Sequence, residues 1–454
     1  MYKYYYILTV WRIKMRKERI LSPVKRIRAG ISLPHLKGTA ETETVRITPE
    51  KVYIPVVMHI GAPCKATVKA GDTVFVGTKI ADSEAPVSAP IHSSVSGTVA
   101  AVKTMELYGK PTEVIEIDSD GKMESDPSLK PFPVHSKKAL VEAARLCGLV
   151  GLGGAGFPTH IKLNPPKTAE IDTLVVNAAE CEPYITSDYR ECMENYNDVI
   201  EAIYLIKKVF KLKKVVICVE ANKPKAIEKL YQMATDKRDA DDTVKLMKLP
   251  TKYPQGAEKV IIYSATGRQL PPGKLPSDVG CIVMNVTSLG TLYRFIKTGM
   301  PLVSKRITFE GSAVKKPQNV LAPIGTKVSD IIEFCGGVDE SYSKIIMGGP
   351  MMGVSVIDGE GVIEKRTNAV LVLNPQKTAP STPCIRCGRC AEKCPMGLTP
   401  ANVEAASRTG ETERYIELNV NLCMECGSCS YICPAKRPLT QVMRVAKAEL
   451  RRKK

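Results

Sequence analysis

The sequence predicts a multidomain protein that combines α/β and β domains, and three observations support this prediction. The chain has 454 residues, which exceeds the usual size of one domain. Short β-type runs separated by glycine fill residues 51–118, whereas buried-strand runs alternate with helical stretches after residue 134. Two cysteine-rich runs follow near the end of the chain, in a segment of helical character. We therefore expect β domains, an α/β domain and a helical domain in one chain.

The composition excludes several classes of protein. Fifteen cysteines in so long a chain do not fit a small secreted disulfide scaffold, and they favour a reducing compartment. No apolar run reaches the roughly 20 residues that a membrane-spanning helix needs. The formal net charge of +18 favours acidic partners, but the chain contains no zinc-finger, RNP or helix-turn-helix motif. We therefore expect an acidic redox protein or a membrane surface as partner, and no nucleic acid.

The N-terminal part is predicted to contain a basic segment, residues 1–29, and a barrel-sandwich domain, residues 30–122. In the latter, KATVKAGDTVFVGTKIAD and APIHSSVSGTVAAV resemble the two halves of a lipoyl- or biotinyl-type domain. Such carrier domains present a modified lysine on a hairpin, but the corresponding stretch SEAPVSAP contains no lysine. We therefore expect a structural domain and not a swinging arm.

Residues 134–300 have the pattern of an α/β nucleotide-binding domain. The helical stretch SKKALVEAARLC leads into GLVGLGGAGFPTHIK, whose glycines let backbone N–H groups approach a phosphate. The buried-strand run TLVVN ends just before AAECEP, and ligands of open α/β sheets gather past the carboxyl ends of strands. Because a helix precedes the glycines, the loop differs from the Rossmann fingerprint. By itself it could also be a structural turn.

Residues 301–372 are predicted to form a β-grasp domain. The stretch RITFEGSAVKKPQNVLAPIGTKVSDIIEFCGG has the pattern of strands, a helix and a Gly-Gly stop. It resembles the soluble-ligand-binding β-grasp (SLBB) fold. The proline-containing stretch LNPQKTAPSTP is predicted to link this domain to the cysteine runs.

The last predicted domain, residues 384–447, contains the runs CIRCGRCAEKCP and CMECGSCSYICP. Their C-x2-C-x2-C-x3-C-P spacing is typical of two-cluster ferredoxins, in which the fourth cysteine of each run ligates the other cluster. One [4Fe–4S] cluster is therefore assigned Cys384, Cys387, Cys390 and Cys433, and the second is assigned Cys423, Cys426, Cys429 and Cys394. Structural zinc is the alternative, although zinc sites usually use two separated cysteine pairs. The connector between the runs has a helix–turn–helix pattern, which favours the α-helical kind of ferredoxin domain.

The glycine loop together with VVNAAECEP is similar to the FMN- and NADH-binding domain of the flavoprotein subunit of respiratory complex I. With the barrel-sandwich, β-grasp and two-cluster segments around it, the chain resembles the RnfC family, whose members are components of the Rnf ion-translocating ferredoxin:NAD oxidoreductases. The resemblance covers roughly residues 25–450. Two positions depart from the complex I pattern: Leu152 replaces an arginine and Ala179 replaces an aspartate.

The resemblance implies the residues of the flavin and dinucleotide sites. The FMN phosphate is expected at Gly151, Gly153, Gly154 and Lys162. The isoalloxazine ring is expected beside Asn177 and Glu180, and the stretch VMNVTSLGTLY is expected to place Asn285 and Ser288 beside the flavin. Phe157 is expected to stack on NADH, and Glu182 is expected at the boundary of flavin and nicotinamide as the catalytic residue. The stretch KYPQGAEKVI adds the nucleotide-site candidates Tyr253, Gly256 and Glu258.

The resemblance also implies the function. It predicts an electron-transfer subunit that passes electrons between NAD(H), non-covalent FMN and two [4Fe–4S] clusters in a membrane-bound ion-translocating ferredoxin:NAD+ oxidoreductase. The expected partners are the other Rnf membrane and iron–sulfur subunits and ferredoxin, at the cytoplasmic face of the cell membrane. Two alternatives stay open: a soluble cobalamin reductase of the propanediol-utilisation type, whose chain opens with the flavin domain, and a non-catalytic iron–sulfur scaffold or relay.

Overall fold

The computed structural model describes residues 20–27, 29–234, 239, 241–356 and 359–452. Most of the basic segment predicted over residues 1–29 lies outside these ranges. Within them, eighteen strands form four sheets, and strands and helices are numbered here in chain order. None of the helices in the described ranges has the length and apolar character needed to cross a membrane.

Two antiparallel sheets occupy the N-terminal part. The larger has the order β3-β9-β8-β5 and consists of β3 (Lys51–Pro55), β5 (Thr73–Val74), β8 (Gly97–Leu107) and β9 (Lys110–Ser119). The smaller has the order β4-β6-β7 and consists of β4 (Lys65–Ala66), β6 (Lys79–Asp82) and β7 (Ile91–His92). The fully buried side chains of Ile54, Ile80 and Ile115 belong to one apolar core, so both sheets contribute to it.

The segment between β6 and β7 is docked onto the following domain. This is the position at which a carrier domain would present its modified lysine. Here Arg145 donates a 2.8 Å hydrogen bond to the carboxylate of Asp82, and the ring of His160 lies 3.2 Å from the carbonyl oxygen of Pro86. These contacts hold the segment in place, which agrees with a structural role for the domain.

Five parallel strands form the sheet of the α/β part, in the order β1-β12-β11-β10-β13. They are β1 (Ile20–Leu21), β10 (Thr173–Ala178), β11 (Lys214–Glu220), β12 (Val244–Leu249) and β13 (Cys281–Asn285). Strands β10 and β11 are almost continuously apolar because both faces of a parallel sheet are covered. On β10, for example, Leu174 and Val176 enter one core and Val175 enters another.

Helices cover this sheet and position its loops. They are α1 (Lys137–Leu146), α2 (Thr159–Lys162), α3 (Ser187–Glu194), α4 (Tyr196–Phe210), α5 (Pro224–Ala234), α6 (Glu258–Thr266) and α7 (Val286–Thr298). A short 3-10 helix spans Pro276–Val279. The glycine loop lies between α1 and α2, so a helix precedes it, as the sequence predicted.

A six-stranded mixed sheet follows, in the order β17-β16-β18-β14-β15-β2. Its strands are β2 (Thr44–Arg46), β14 (Ser304–Glu310), β15 (Gln318–Pro323), β16 (Lys344–Met347), β17 (Val354–Val356) and β18 (Ala369–Leu373). Helix α8 (Val328–Phe334) buries Val328 and Ile331 in the core of this sheet. Strand β2 precedes the barrel in the chain but pairs in parallel with β15, so the N-terminal segment connects several domains.

The C-terminal part is helical around the two cysteine runs. Its elements are α9 (Arg389–Glu392), α10 (Pro400–Thr409), α11 (Arg414–Glu417), a 3-10 helix (Val420–Leu422), α12 (Ser428–Ile432) and α13 (Leu439–Arg452). Val403, Tyr415 and Met443 form its buried core. The connector between the runs thus contains the predicted helix–turn–helix.

Candidate functional site

The glycine loop, residues 148–158, folds back on itself and leaves its tip exposed. The amide of Gly151 donates to the carbonyl of Phe157 at 2.8 Å, which closes the loop. Residues 153–155 form the exposed tip, and within the described part of the chain their backbone amides have no hydrogen-bond acceptor. Gly154 has a φ of +105°, a conformation that residues with a side chain rarely adopt. Three such amides on an exposed turn can bind an anion such as a phosphate. The amide of Gly151 is not available for this role, because it donates to the carbonyl of Phe157.

Strand β13 and helix α7 form the floor beneath this tip. Asn285 caps α7, since its Oδ1 accepts hydrogen bonds from the amides of Thr287 and Ser288 at 2.9 and 3.2 Å. Its Nδ2 lies 3.3 Å from the point that a β carbon on Gly153 would occupy. The hydroxyl of Ser288 accepts a 3.0 Å hydrogen bond from the amide of Leu152. The structure therefore brings Asn285 and Ser288 to the glycine loop.

Asp188 is a buried carboxylate at this floor that the sequence analysis missed. It accepts hydrogen bonds from Nδ2 of Asn285 at 2.7 Å and from the hydroxyl of Thr287 at 2.6 Å. Burial, reinforced by the nearby Glu180 carboxylate, raises the pKa of Asp188. Asp188 lies in the first turn of α3, where acidic residues are common because they complement the helix dipole. Its position in the sequence therefore gave no functional signal.

Asn177 and Glu180 follow the end of β10, where the sequence analysis expected a ligand. In the structure, Asn177 donates to the carbonyl of Gly256 at 2.8 Å and accepts from the amide of Ala179 at 3.0 Å. The carboxylate of Glu180 is buried and accepts from the amide of Asp188 at 2.7 Å, at the start of α3. These side chains hold the loop between β10 and α3. Their contact with the isoalloxazine ring stays a prediction.

Lys162 and Glu258 come from two separate segments that the sequence analysis assigned to nucleotide binding. The ammonium group of Lys162, at the end of α2, lies 2.9 Å from the carboxylate of Glu258, at the start of α6. Both side chains are partly exposed, so the pair is accessible to a ligand. The structure therefore places the two candidates together, with the lysine charge balanced by a carboxylate.

Glu182 lies between the α/β part and the C-terminal helices. Its carboxylate accepts a 3.0 Å hydrogen bond from the amide of Met351 and lies 3.5 Å from the hydroxyl of Tyr253. The same Tyr253 hydroxyl donates a 2.7 Å hydrogen bond to the carbonyl of Cys426. Burial raises the pKa of Glu182 to about 7. A series of contacts therefore joins the loop after β10 to the second cysteine run.

The eight cysteines of the two runs line two cavities. Cavity one is lined by Cys384, Cys387, Cys390 and Cys433. Cavity two is lined by Cys423, Cys426, Cys429 and Cys394. Each cavity thus combines three cysteines of one run with the fourth cysteine of the other run. Four thiolates around a cavity fit a [4Fe–4S] cluster. In the ranges that the structure describes, no three His, Cys, Asp or Glu side chains are arranged to hold a single metal ion.

Models of four protein families match the chain. Residues 25–122 match the RnfC barrel sandwich hybrid domain, and residues 144–294 match the Nuo51 FMN-binding domain. Residues 306–355 match the SLBB domain, and residues 380–437 match a 4Fe-4S dicluster domain. These matches confirm the predicted fold class and the predicted FMN and [4Fe–4S] cofactors. The predicted domain boundaries and site residues stay predictions.

Three relatives, each the C component of an oxidoreductase complex, align along almost the whole chain. The relative from the proton-translocating ferredoxin:NAD(+) oxidoreductase complex of Clostridium ljungdahlii is 41% identical over 441 residues, which cover 94% of each chain. The relative from the Na(+)-translocating ferredoxin:NAD(+) oxidoreductase complex of Acetobacterium woodii is 40% identical and covers 93% of this chain and 96% of its own. The relative from the ion-translocating oxidoreductase complex of Rhodobacter capsulatus is 36% identical, and the alignment covers 93% of this chain and 83% of the relative. These relatives do not support the cobalamin-reductase and scaffold alternatives. The chain therefore belongs to the RnfC family of components of ion-translocating ferredoxin:NAD+ oxidoreductase complexes.

Proposed function

We propose that the chain passes electrons between NAD(H), a bound FMN and two [4Fe–4S] clusters within a membrane-bound ion-translocating ferredoxin:NAD+ oxidoreductase. Membership of the RnfC family supports the reaction. The observation that carries the proposal is the direct contact between the flavin-binding part and a cysteine cavity. Tyr253 belongs to the first and is hydrogen-bonded at 2.7 Å to Cys426, which lines cavity two. This contact would let electrons pass between the flavin-binding part and the cluster of cavity two.

The cysteines of each cavity are proposed as the ligands of one cluster. Cluster one would be held by Cys384, Cys387, Cys390 and Cys433. Cluster two would be held by Cys423, Cys426, Cys429 and Cys394. The shared use of both runs keeps the two cavities within one small helical domain, so electrons can pass from one cluster to the other. Two clusters would give about eight iron atoms per chain.

The glycine loop and its floor are proposed to bind FMN. When bound, FMN exchanges a hydride with NAD(H) and single electrons with the clusters. The amides of residues 153–155, which have no acceptor among the described residues, would bind the phosphate. Lys162, which the family resemblance assigns to the same phosphate and which is paired with Glu258, would add a positive charge. Asn285 and Ser288 would support the loop from below, as their contacts with residues 152–153 indicate. Phe157, half-buried beside the tip, is the proposed surface for NADH, with Glu182 near the reacting rings.

The surroundings of the two cavities support an order of electron transfer. Cavity two contacts the flavin-binding part through Tyr253, whereas Cys384 and Cys387 of cavity one are exposed. We therefore place cluster two between FMN and cluster one, and cluster one at the surface where a redox partner docks. The other membrane and iron–sulfur subunits of the complex are the proposed neighbours. Ferredoxin would exchange electrons directly or through one of them.

The location of the chain is proposed from its charge and its family. A net charge of +18 favours an acidic redox partner or an anionic membrane face. We place the chain as a peripheral subunit on the cytoplasmic face of the cell membrane, held by the membrane subunits of the complex. Binding to such partners should weaken at high salt because exposed charges are screened beyond about 8 Å at physiological ionic strength.

The experiment that tests this function uses the full chain, prepared anaerobically with iron and FMN. NADH should reduce the clusters and an artificial electron acceptor. Gly153→Asp should abolish FMN binding and NADH oxidation, since a carboxylate at the loop tip would repel the phosphate. Gln376→Glu, in the exposed segment after β18, adds one negative charge away from the loop and should leave both unchanged.

Two outcomes would contradict the proposal. Unchanged FMN content in Gly153→Asp, or recovery of FAD instead of FMN, would show that FMN does not bind at the glycine loop. If the protein has its full FMN and iron content but does not react with NADH, the dinucleotide site must lie on another protein of the complex.

A further inference from the structure

The segment Lys365–Asn368, which enters strand β18, runs along the outer side of the glycine loop. The Asn368 side-chain nitrogen lies 3.9 Å from the point that a β carbon on Gly154 would occupy. The side chain of Arg366 comes within 3.5 Å of the corresponding point on Gly156. The backbone of Asn368 is fixed, because its carbonyl accepts a 3.0 Å hydrogen bond from the amide of Thr308. The β-grasp part of the chain therefore forms a wall beside the exposed loop tip.

A buried lysine sets the direction of the Asn368 amide. Lys305, on β14, is only 1% exposed, and its ammonium group lies 2.6 Å from the side-chain oxygen of Asn368. An ammonium group can only donate, so the oxygen of the amide must face Lys305. The NH2 group of Asn368 is then directed away from Lys305, and it lies near Gly154. The same ammonium group lies 3.4 Å from the carbonyl of Leu152, inside the loop.

The charge of Lys305 also favours an anion at the loop. Burial lowers the pKa of Lys305 to about 8, while the carboxylates of Asp188 and Glu191 oppose this shift. The ammonium form therefore persists near neutral pH. It lies beside a turn whose three tip amides have no acceptor among the described residues, so the loop, Asn368 and Lys305 together supply hydrogen-bond donors and a positive charge, while the Asp188 carboxylate lies at the floor of the same loop. A phosphate dianion is the group that fits this arrangement.

We propose that Asn368 is a further binding residue for the phosphate of FMN and that Lys305 is the positioning residue that directs its amide. This inference rests on the proposed FMN site and adds that the β-grasp domain supplies part of it. The FMN-binding part alone would then lack one wall of the phosphate site. Riboflavin, which has the same ring system without the phosphate, should not use these two residues.

The test compares the affinities of the apoprotein, with intact clusters, for FMN and for riboflavin by flavin fluorescence. The wild-type chain should prefer FMN. Asn368→Asp keeps the oxygen that Lys305 binds and replaces the NH2 group by a carboxylate oxygen, which repels phosphate. We expect it to weaken FMN binding at least about tenfold, since a hydrogen bond to a charged group is lost, and to leave riboflavin binding within about twofold. Asn402→Asp, an exposed residue of α10, is the charge-matched control and should change neither affinity.

Lys305→Met tests the positioning role. It should reduce the preference for FMN over riboflavin while riboflavin still binds. If this buried substitution prevents folding, Asn368→Asp decides the question by itself.

An unchanged preference for FMN in Asn368→Asp would overturn the inference and leave the proposed FMN site intact. If Asn368→Asp binds FMN normally but loses affinity for NADH, Asn368 contacts the dinucleotide pyrophosphate, and this outcome would also overturn the inference. A wild-type chain without preference for FMN would instead contradict the proposed function.

Discussion

The two cysteine cavities have the same local geometry and different surroundings. Arg386 and Glu425 occupy equivalent positions in the two runs, with φ values of +55° and +58°. Their amides donate to the sulfur atoms of Cys384 and Cys423 at 3.4 and 3.3 Å. The repeated spacing therefore produces the same ligand loop twice. Any difference between the two clusters must come from what packs against each loop.

The surroundings differ most on the side facing the rest of the chain. Ile385, beside cavity one, has 66% of its surface exposed. At cavity two, Met351 of the β-grasp part lies 3.2 Å from the point that a β carbon on Gly427 would occupy, and Tyr253 is hydrogen-bonded to Cys426. The potential of a [4Fe–4S] cluster depends on hydrogen bonds and solvent exposure. Under the proposed order of electron transfer, the chain uses one motif for an inner cluster next to the flavin-binding part and for an outer cluster at which a partner docks.

The largest expected effect concerns the crossed ligand sets. Cys394→Ser should remove the cluster of cavity two and lower the iron content from about eight to about four atoms per chain, because Cys394 lines that cavity. Cys433→Ser, the matched variant, should remove the cluster of cavity one instead. Iron analysis and electron paramagnetic resonance of the anaerobic proteins measure both outcomes. Loss of the cluster held by Cys384 in Cys394→Ser would show that the runs are not crossed, and stoichiometric zinc would contradict the cluster assignment altogether.

A smaller effect is expected from the difference in exposure. The Cys394→Ser protein should retain only the outer cluster, and the Cys433→Ser protein only the inner one. An iron chelator or a soluble oxidant should then destroy the outer cluster several times faster, because Cys384 and Cys387 are exposed while Cys426 is buried. The rates of absorbance loss in the two proteins give the comparison. Equal rates would mean that the contacts with Met351 and Tyr253 do not protect cavity two.

The ligand loops could be predicted from the sequence because their chemistry is local. The spacing of cysteines within twelve residues specifies each loop, and the fixed exchange of the fourth cysteine specifies the pairing. The glycine loop is predictable for the same reason, since its turn needs residues without side chains. The resemblance to known flavin domains then pointed to Asn285 and Ser288, which the structure places beside that loop.

The long-range contacts could not be predicted in this way. Tyr253 and Cys426 are separated by 173 positions, and no periodicity relates them. Lys305 and Asn368 belong to a part of the chain that the pattern assigned to a different domain. Strand β2 has only three residues, too few for an alternating pattern, so its pairing with β15 was not foreseen. Glu180 is assigned to the flavin from the resemblance alone, and its hydrogen bond from the amide of Asp188 at the start of α3 has no sequence signal.

The smallest expected effect concerns the carboxylate next to cavity two. Glu404, which lines cavity one, is paired with Arg437. The carboxylate of Glu182 instead accepts from the Met351 amide and lies near the Tyr253 hydroxyl. Its nearby cation, Lys37, donates to the carbonyl of Glu182. Burial raises the pKa of Glu182 from an ordinary value of 4.5 to about 7 in the folded chain. Between these two values the folded protein binds a proton that the unfolded chain has released. Its stability should therefore fall as pH rises through this window and become level above it.

Glu182→Gln should remove this dependence and stabilise the protein above pH 7, where the wild-type carboxylate is charged. The gain should be at most about 3 to 4 kcal/mol, because the pKa rises from 4.5 to about 7 and each pKa unit corresponds to about 1.4 kcal/mol. Denaturant unfolding of both proteins at pH 5 and pH 8, with equal FMN and iron content, measures it. Glu404→Gln is the comparison at cavity one, where the loss of the Arg437 partner should destabilise the protein at both pH values. A parallel pH dependence of wild type and Glu182→Gln would show that Glu182 is already ionised when folded, and the electrostatic difference between the two cavities would then need another source.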